Sequence, residues 1–248
     1  MKTKTTFLAL ILGALSISGE LKAQFFPTEV GYDKTFQNPY YYVGKMYGGF
    51  PSVGNIVGSG TVIKRYTVLT AAHCLYIKPD GWAHSVDFER AKYYSSAENS
   101  TYASRLSILG GYSNNSGSDG RNNAKGFSYD AGCFLCVDMP ANGGYAGWWA
   151  NSFGLTSTIP KMSLGYGAQY HDGEQMLRSA PTRTYRKSYG SFYTNTSYRL
   201  EGGMSGGPTF VLYRGNWYVC AINVAGSDTM AGVRCLSTAT TSMLRQYY

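Results

Sequence analysis

Glu201-Gly202-Gly203-Met204-Ser205-Gly206-Gly207-Pro208 constrains this chain more than any other stretch. A serine set between glycines demands a tight turn whose backbone angles few other residues adopt without strain. With no Cβ on Gly203 or Gly206, the N–H groups of Gly203 and Ser205 can converge on one point in front of the Ser205 hydroxyl. Such a cradle stabilises an oxyanion, and it is useful only where a base activates the serine. The chain has three histidines, His73, His84 and His171, and all of them precede Ser205.

Chain order separates the two frameworks that carry such a serine. Gly203-Met204-Ser205-Gly206-Gly207 fits Gly-x-Ser-x-Gly, the nucleophile elbow of α/β-hydrolases, but there the acid and the histidine follow the serine. The other order is histidine, aspartate, serine. It is met by His73 in Leu69-Thr70-Ala71-Ala72-His73-Cys74 and by Asp130 in Ser128-Tyr129-Asp130-Ala131-Gly132-Cys133-Phe134-Leu135-Cys136-Val137. On these residues the chain resembles the trypsin-like (chymotrypsin-fold) serine peptidases. The run from Tyr42 to Tyr76 is similar to their glutamyl-endopeptidase-like branch, through Val43-Gly44-Lys45, Gly58-Ser59-Gly60-Thr61-Val62-Ile63 and Val68-Leu69-Thr70-Ala71-Ala72-His73-Cys74.

The resemblance implies an all-β fold: two six-stranded antiparallel β-barrels, the active site in the cleft between them, and a short C-terminal helix. It implies a serine endopeptidase that forms an acyl-enzyme on Ser205, with His73 as general base and Asp130 orienting the imidazole. Gly203 and Ser205 would supply the oxyanion hole. Arg199 and Leu200 on one side, and Asn223, Val224, Ala225 and Gly226 on the other, would frame the specificity pocket. Protein or peptide substrates, no cofactor, no metal and a monomeric state go with this reading. Two alternatives remain: a catalytically inactive binding protein of the same fold, using a surface rich in the chain's 23 tyrosines, or an esterase.

Rivals and departures bear on single residues. Asp119, in a Gly/Ser/Asn-rich stretch, and Asp138, at the far end of the strand after Asp130, compete for the acid role. His84 and His171 sit in polar surroundings and read as surface residues. Met204 stands where trypsin-like enzymes carry the aspartate that pairs with a newly cut N-terminus, so that activation route is closed. Val224 replaces a serine that in many relatives supports the triad aspartate. Asn223 stands near the place of a histidine used by glutamyl endopeptidases, and the absence of that histidine argues against acidic-residue specificity. Arg199 would supply positive charge only by pointing inward, and reads rather as a solvent-facing loop residue. Ile56-Val57-Gly58 mimics an activated N-terminus but has no basic residue before it, and reads as plain strand.

The N-terminus has the pattern of a secretory signal. Lys2 and Lys4 precede an apolar run from Phe7 to Leu15, which is shorter than the roughly 20 residues that span a bilayer, and cleavage is expected after Ala23, with a site near Ser18 as the alternative. The expected organisation is then residues 1–23 as signal peptide, 24–41 as a strap or short pro-segment, 42–141 as the first barrel, and 142–248 as the second barrel and helix. No later stretch is apolar enough to cross a membrane. Charged residues make up only 15% of the chain, while glycine, tyrosine and small polar residues abound, a composition suited to an exported β protein. Removing the signal takes away three lysines and one glutamate, lowering the net charge from +8 to about +6. The basic residues form no stripe, which argues against nucleic acid as a partner.

Five cysteines in an exported chain suggest disulfides with one thiol left over. A metal at Cys133-x-x-Cys136 is disfavoured, because a strand puts residues three apart on opposite faces. The family fold would pair the strands that carry Cys220 and Cys235, which implies a bridge between them. Cys74 lacks its usual partner near Gly58. From Asp80 to Gly126 the sequence reads as a long polar loop.

Overall fold

The computed structural model describes residues 26–78, 80–117, 123–181 and 184–246. The expected signal peptide and Asp119 lie outside the described residues. Among those described, the chain is mostly β, and its only helix longer than two turns is near the C-terminus.

The first half is a closed barrel of six antiparallel strands. In chain order they are β1 (Val43–Phe50), β2 (Gly54–Lys64), β3 (Thr67–Thr70), β4 (Ser85–Arg90), β5 (Asn99–Ile108) and β6 (Gly132–Cys136). They close in the order β1-β2-β3-β6-β5-β4. Closure leaves no unpaired strand edge. Val43, Met46, Val62, Ile63, Val68, Phe88 and Phe134 fill the barrel and are wholly buried. Each large apolar side chain taken from water contributes roughly 1.5–3 kcal/mol. Ile56-Val57-Gly58 lies within β2, as plain strand.

The polar run from Asp80 to Gly126 is not one loop. It contains β4 and β5, half of the ladder that closes the barrel. β4 alternates buried and exposed positions, but one of its three buried positions is Arg90, so little apolar periodicity shows. β5 buries only Thr101 among its ten residues, which gives it the composition of a loop.

The second half contains β7 (Lys161–Tyr166), β8 (Met176–Ser179), β9 (Arg186–Tyr189), β10 (Phe192–Asn195), β11 (Pro208–Tyr213), β12 (Asn216–Ser227) and β13 (Met230–Cys235). The ladders β7–β8, β7–β11, β11–β12, β12–β13 and β13–β10 repeat the relative pairing of the first barrel. The sixth ladder, which would join β8 to β10, is not made among the described residues. Thr28–Glu29 pairs instead with the free edge of β8, and β9 pairs with that of β10. β8 and β9 are separate strands, with Pro181, which cannot donate to a ladder, in the segment between them.

Helix α1 (Ala124–Tyr129) and helix α2 (Thr238–Arg245) complete the fold. The Asn123 side chain caps α1 by accepting from the N–H groups of Lys125 and Gly126, and a Ser237–Thr240 capping box starts α2. Arg234 ties the two helices together. Its guanidinium is buried and donates to Ser128 O (3.2 Å), Cys235 O (3.1 Å), Thr240 Oγ1 and Ser237 Oγ (3.3 Å). All five cysteines are buried free thiols, so the structure has no Cys220–Cys235 bridge. The two strands pair as the family fold implies, with Cys235 opposite Ala221, one residue past Cys220.

Candidate active site

His73 is presented by a single 3-10 turn, Ala72–Cys74, at the end of β3. Ala71 and Ala72 are fully buried, and their small side chains let the turn press against the barrel wall. Asp130 closes the C-terminal end of α1, just before β6, and is completely buried. Its Oδ2 lies 2.7 Å from His73 Nδ1, and its Oδ1 accepts from the His73 backbone N–H at 3.0 Å. Burial would lower the imidazole pKa. The Asp130 carboxylate, with a smaller contribution from Cys74, outweighs it and holds the ring well above the ordinary histidine value.

Ser205 sits on the expected turn, between β10 and β11. Gly203 and Gly206 have φ of 93° and 85°, a region that favours glycine. A Cβ on Gly206 would also collide with Ser59 O and Thr70 Oγ1. Both barrels hold the turn. Ser59, wholly buried on β2, donates its N–H to Ser205 O (2.7 Å) and its hydroxyl to Gly203 O (2.8 Å). The same hydroxyl accepts from Tyr166 N–H on β7 at 2.8 Å. Cys74 Sγ lies 3.8 Å from Ser205 O, which brings the residue after His73 against the serine's own peptide.

The N–H groups of Gly203 and Ser205 meet no acceptor among the described residues. Each belongs to a peptide whose carbonyl is anchored. Gly202 O accepts from Ala168 N–H at 2.7 Å, and Met204 O accepts from Gly207 N–H at 3.1 Å and Asn223 Nδ2 at 3.4 Å. In a planar trans peptide, fixing the carbonyl aims the N–H the opposite way. The turn is therefore built with two spare donors in fixed directions. Sequence reasoning missed Ser59's part, for which the only signal was the glycine on either side of it.

A cavity of about 280 Å³ opens beside Ser205. Of the residues expected to frame it, Leu200, Asn223, Val224, Ala225 and Gly226 line it, and Phe127 of α1 joins them. Arg199 does not. Its guanidinium lies 3.8 Å from the centre of the Phe26 ring, 2.6 Å from Glu201 Oε1 and 3.3 Å from Asp228 Oδ1. Asp138 is exposed beyond the end of β6. His84 is exposed as well, and exposed His171 lies 3.2 Å from Glu29 Oε1. The described residues contain no cluster of side chains suited to a metal.

Solved structures share this fold over nearly their whole length. The Glu endopeptidase in complex with MPD superposes with a TM-score of 0.69 at 19% identity, covering 89% of this chain and 95% of its own. The chain has the chymotrypsin fold. Protease Anisep from Arthrobacter nicotinovorans gives 0.68 at 21% identity, over 85% of this chain and 96% of its own. The thermostable serine protease AL20 from an extremophilic microorganism gives 0.67 at 18%, over 82% and 94%. No family model and no curated protein matches the sequence.

Proposed function

We propose that this protein is an exported serine endopeptidase whose nucleophile is Ser205, with His73 as general base and Asp130 as its orienting carboxylate. The observation that carries this reading is the 2.7 Å contact between His73 Nδ1 and Asp130 Oδ2, made beside a glycine turn that bears Ser205 and two unspent N–H donors. With Nδ1 committed to Asp130, the other ring nitrogen is left to take the Ser205 proton. The hydroxyl oxygen then bonds to the substrate carbonyl carbon, and the negative charge on the carbonyl oxygen falls to the N–H groups of Gly203 and Ser205. Collapse expels the amine, protonated by His73, and leaves an ester on Ser205. Water, deprotonated by His73, hydrolyses that ester and restores the hydroxyl.

The buried Asp130 fits this role. An ionised carboxylate out of water costs several kcal/mol unless it is paired and hydrogen-bonded, and His73 supplies both a charge partner and two donors. Export is supported by the N-terminal sequence and by the composition; among the described residues, no helix is long and apolar enough to cross a membrane. Ser205→Ala is the direct test. Casein hydrolysis and labelling by a fluorophosphonate should both vanish, and activity that persists would refute the nucleophile. Labelling without peptide hydrolysis would identify an esterase, and no labelling of the wild-type chain an inactive binding protein.

A further inference from the structure

We propose that the cavity beside Ser205 receives an uncharged, apolar side chain, so that cleavage follows such residues and not Glu, Asp, Lys or Arg. This rests on the reading of Ser205 as nucleophile and goes beyond it by naming the substrate class.

The argument is one of charge and of spent hydrogen bonds. Asn223 is the polar amide in the lining that could select a charged substrate, but both ends of it are committed. Its Nδ2 donates to Leu164 O at 2.9 Å and Met204 O at 3.4 Å, and its Oδ1 accepts from Thr209 Oγ1 at 2.9 Å. The acceptor role of Oδ1 sets the direction of a whole buried chain. Thr209 in turn accepts from Ser163 (2.7 Å), Ser163 accepts from Tyr198 (3.0 Å), and Tyr198 accepts from Tyr185. Turning Asn223 toward a substrate would break this chain at its head, leaving Thr209 without its acceptor and Leu164 O without its donor. Each such loss costs roughly 1–3 kcal/mol.

The one ionisable side chain on the wall is Glu201, and its carboxylate is 7% exposed and turned onto Arg199 at 2.6 Å. Arg199 is itself held outside the cavity by Phe26 and Asp228. The pair cancels, and neither partner offers a free charge to a ligand. The rest of the lining carries no charge: the Phe127 ring, held by stacking on Phe192 at 5.0 Å, Leu200, Val224 and Ala225, with Gly202, Gly226 and Ser205 itself. A carboxylate or ammonium placed there would be desolvated without a counter-charge, whereas an aliphatic or aromatic side chain would lose only water.

The test uses the intact chain and a series of peptidyl diphenyl phosphonates that differ only in the side chain next to phosphorus: Val, Leu, Phe, Glu and Lys. These acylation mimics need a nucleophilic serine but no peptide hydrolysis. The expected result is inactivation at least about tenfold faster by one of the three apolar probes than by the Glu or Lys probe, with the order unchanged in Arg199→Ala. Fastest reaction with the Glu or Lys probe, or equal rates across the series, overturns the proposal and leaves the nucleophile standing. A Glu preference that disappears in Arg199→Ala would show that Arg199 turns inward and would overturn it in the same way. Failure of every probe and of a small fluorophosphonate removes the nucleophile assignment, and this inference with it.

Discussion

Asp130 holds His73 at two points, accepting from its backbone N–H at 3.0 Å with one oxygen and lying 2.7 Å from its ring Nδ1 with the other. One carboxylate thus fixes both where the residue sits and how the ring is turned. Replacing it by the amide keeps the shape and breaks both functions. In Asp130→Asn, kcat is expected to fall by about 10⁴-fold, the scale set when a triad aspartate is amidated in a protease of this fold. The raised imidazole pKa gives a second readout, because only the neutral ring accepts a proton. The acid limb of kcat/KM in the wild type should lie above the ordinary histidine value of about 6.5, and in Asp130→Asn it should move down. For stability the sign is opposite. The His73–Asp130 attraction contributes fully below about pH 6.5 and is lost as pH rises through the raised value.

Ser59 joins the barrels underneath the turn that carries Ser205. Its hydroxyl donates to Gly203 O and accepts from Tyr166 N–H, each at 2.8 Å. Ser59→Ala should leave a buried carbonyl and a buried N–H unpaired, destabilising the fold by roughly 2 kcal/mol in urea unfolding. The loosened turn should also slow fluorophosphonate labelling at full occupancy of the folded state. Labelling at the wild-type rate would reduce Ser59 to a purely structural pin.

Glu174 sits between two lysines, with Oε1 2.7 Å from Lys45 Nζ and Oε2 3.2 Å from Lys92 Nζ. Lys45 belongs to β1 and Glu174 to the loop before β8, so the contact spans the two halves. Partial burial would raise the Glu174 pKa, but hydrogen bonds from both lysines override this and hold it below the usual carboxylate range. The contribution to stability is therefore present at neutral pH and lost as pH falls through that depressed value. Glu174→Gln leaves Lys45, 1% exposed, without its counter-charge and should cost roughly 3 kcal/mol at pH 7. Urea midpoints measured at pH 7 and at pH 3 should show the gap between variant and wild type closing in acid.

Arg234 ties α1, and so the segment leading to Asp130, to the start of α2. Arg234→Met fits the volume but leaves several buried acceptors without donors. A loss of roughly 3 kcal/mol or more is expected, read as a lowered thermal midpoint.

What the sequence revealed follows the rarity of the chemistry. With all three histidines upstream of the Gly203–Gly207 turn, chain order favoured histidine, aspartate, serine; the Leu69-Thr70-Ala71-Ala72-His73-Cys74 context then pointed to His73, and Asp130 followed as an acid beside an apolar strand. The barrel strands were legible where one face is apolar, as in β2 and β3. They were hidden where the inward face is polar: Arg90 on β4 and Thr101 on β5 gave those strands the look of loop. β10 is only four residues long, and α1 announced itself only through the cap residue Asn123. Arg199 shows the limit of position-based reading. It lies in the expected segment, yet Phe26, far away in the chain, draws its guanidinium out of the cavity. No local pattern encodes that contact.

The pairing of Thr28–Glu29 with β8 has a consequence for maturation. Thr28 lies opposite Arg178, Glu29 opposite Leu177, and Val30 N–H donates to Met176 O at 2.8 Å. These three residues occupy the docking slot that a second molecule's strand would otherwise use, so they serve as a built-in guard against self-association. Cleavage after Ala23, which the N-terminal sequence predicts, would leave this guard in place. Material trimmed to residue 32 should gather into oligomers at concentrations where chain beginning at Gln24 stays dispersed, a difference that light scattering would register.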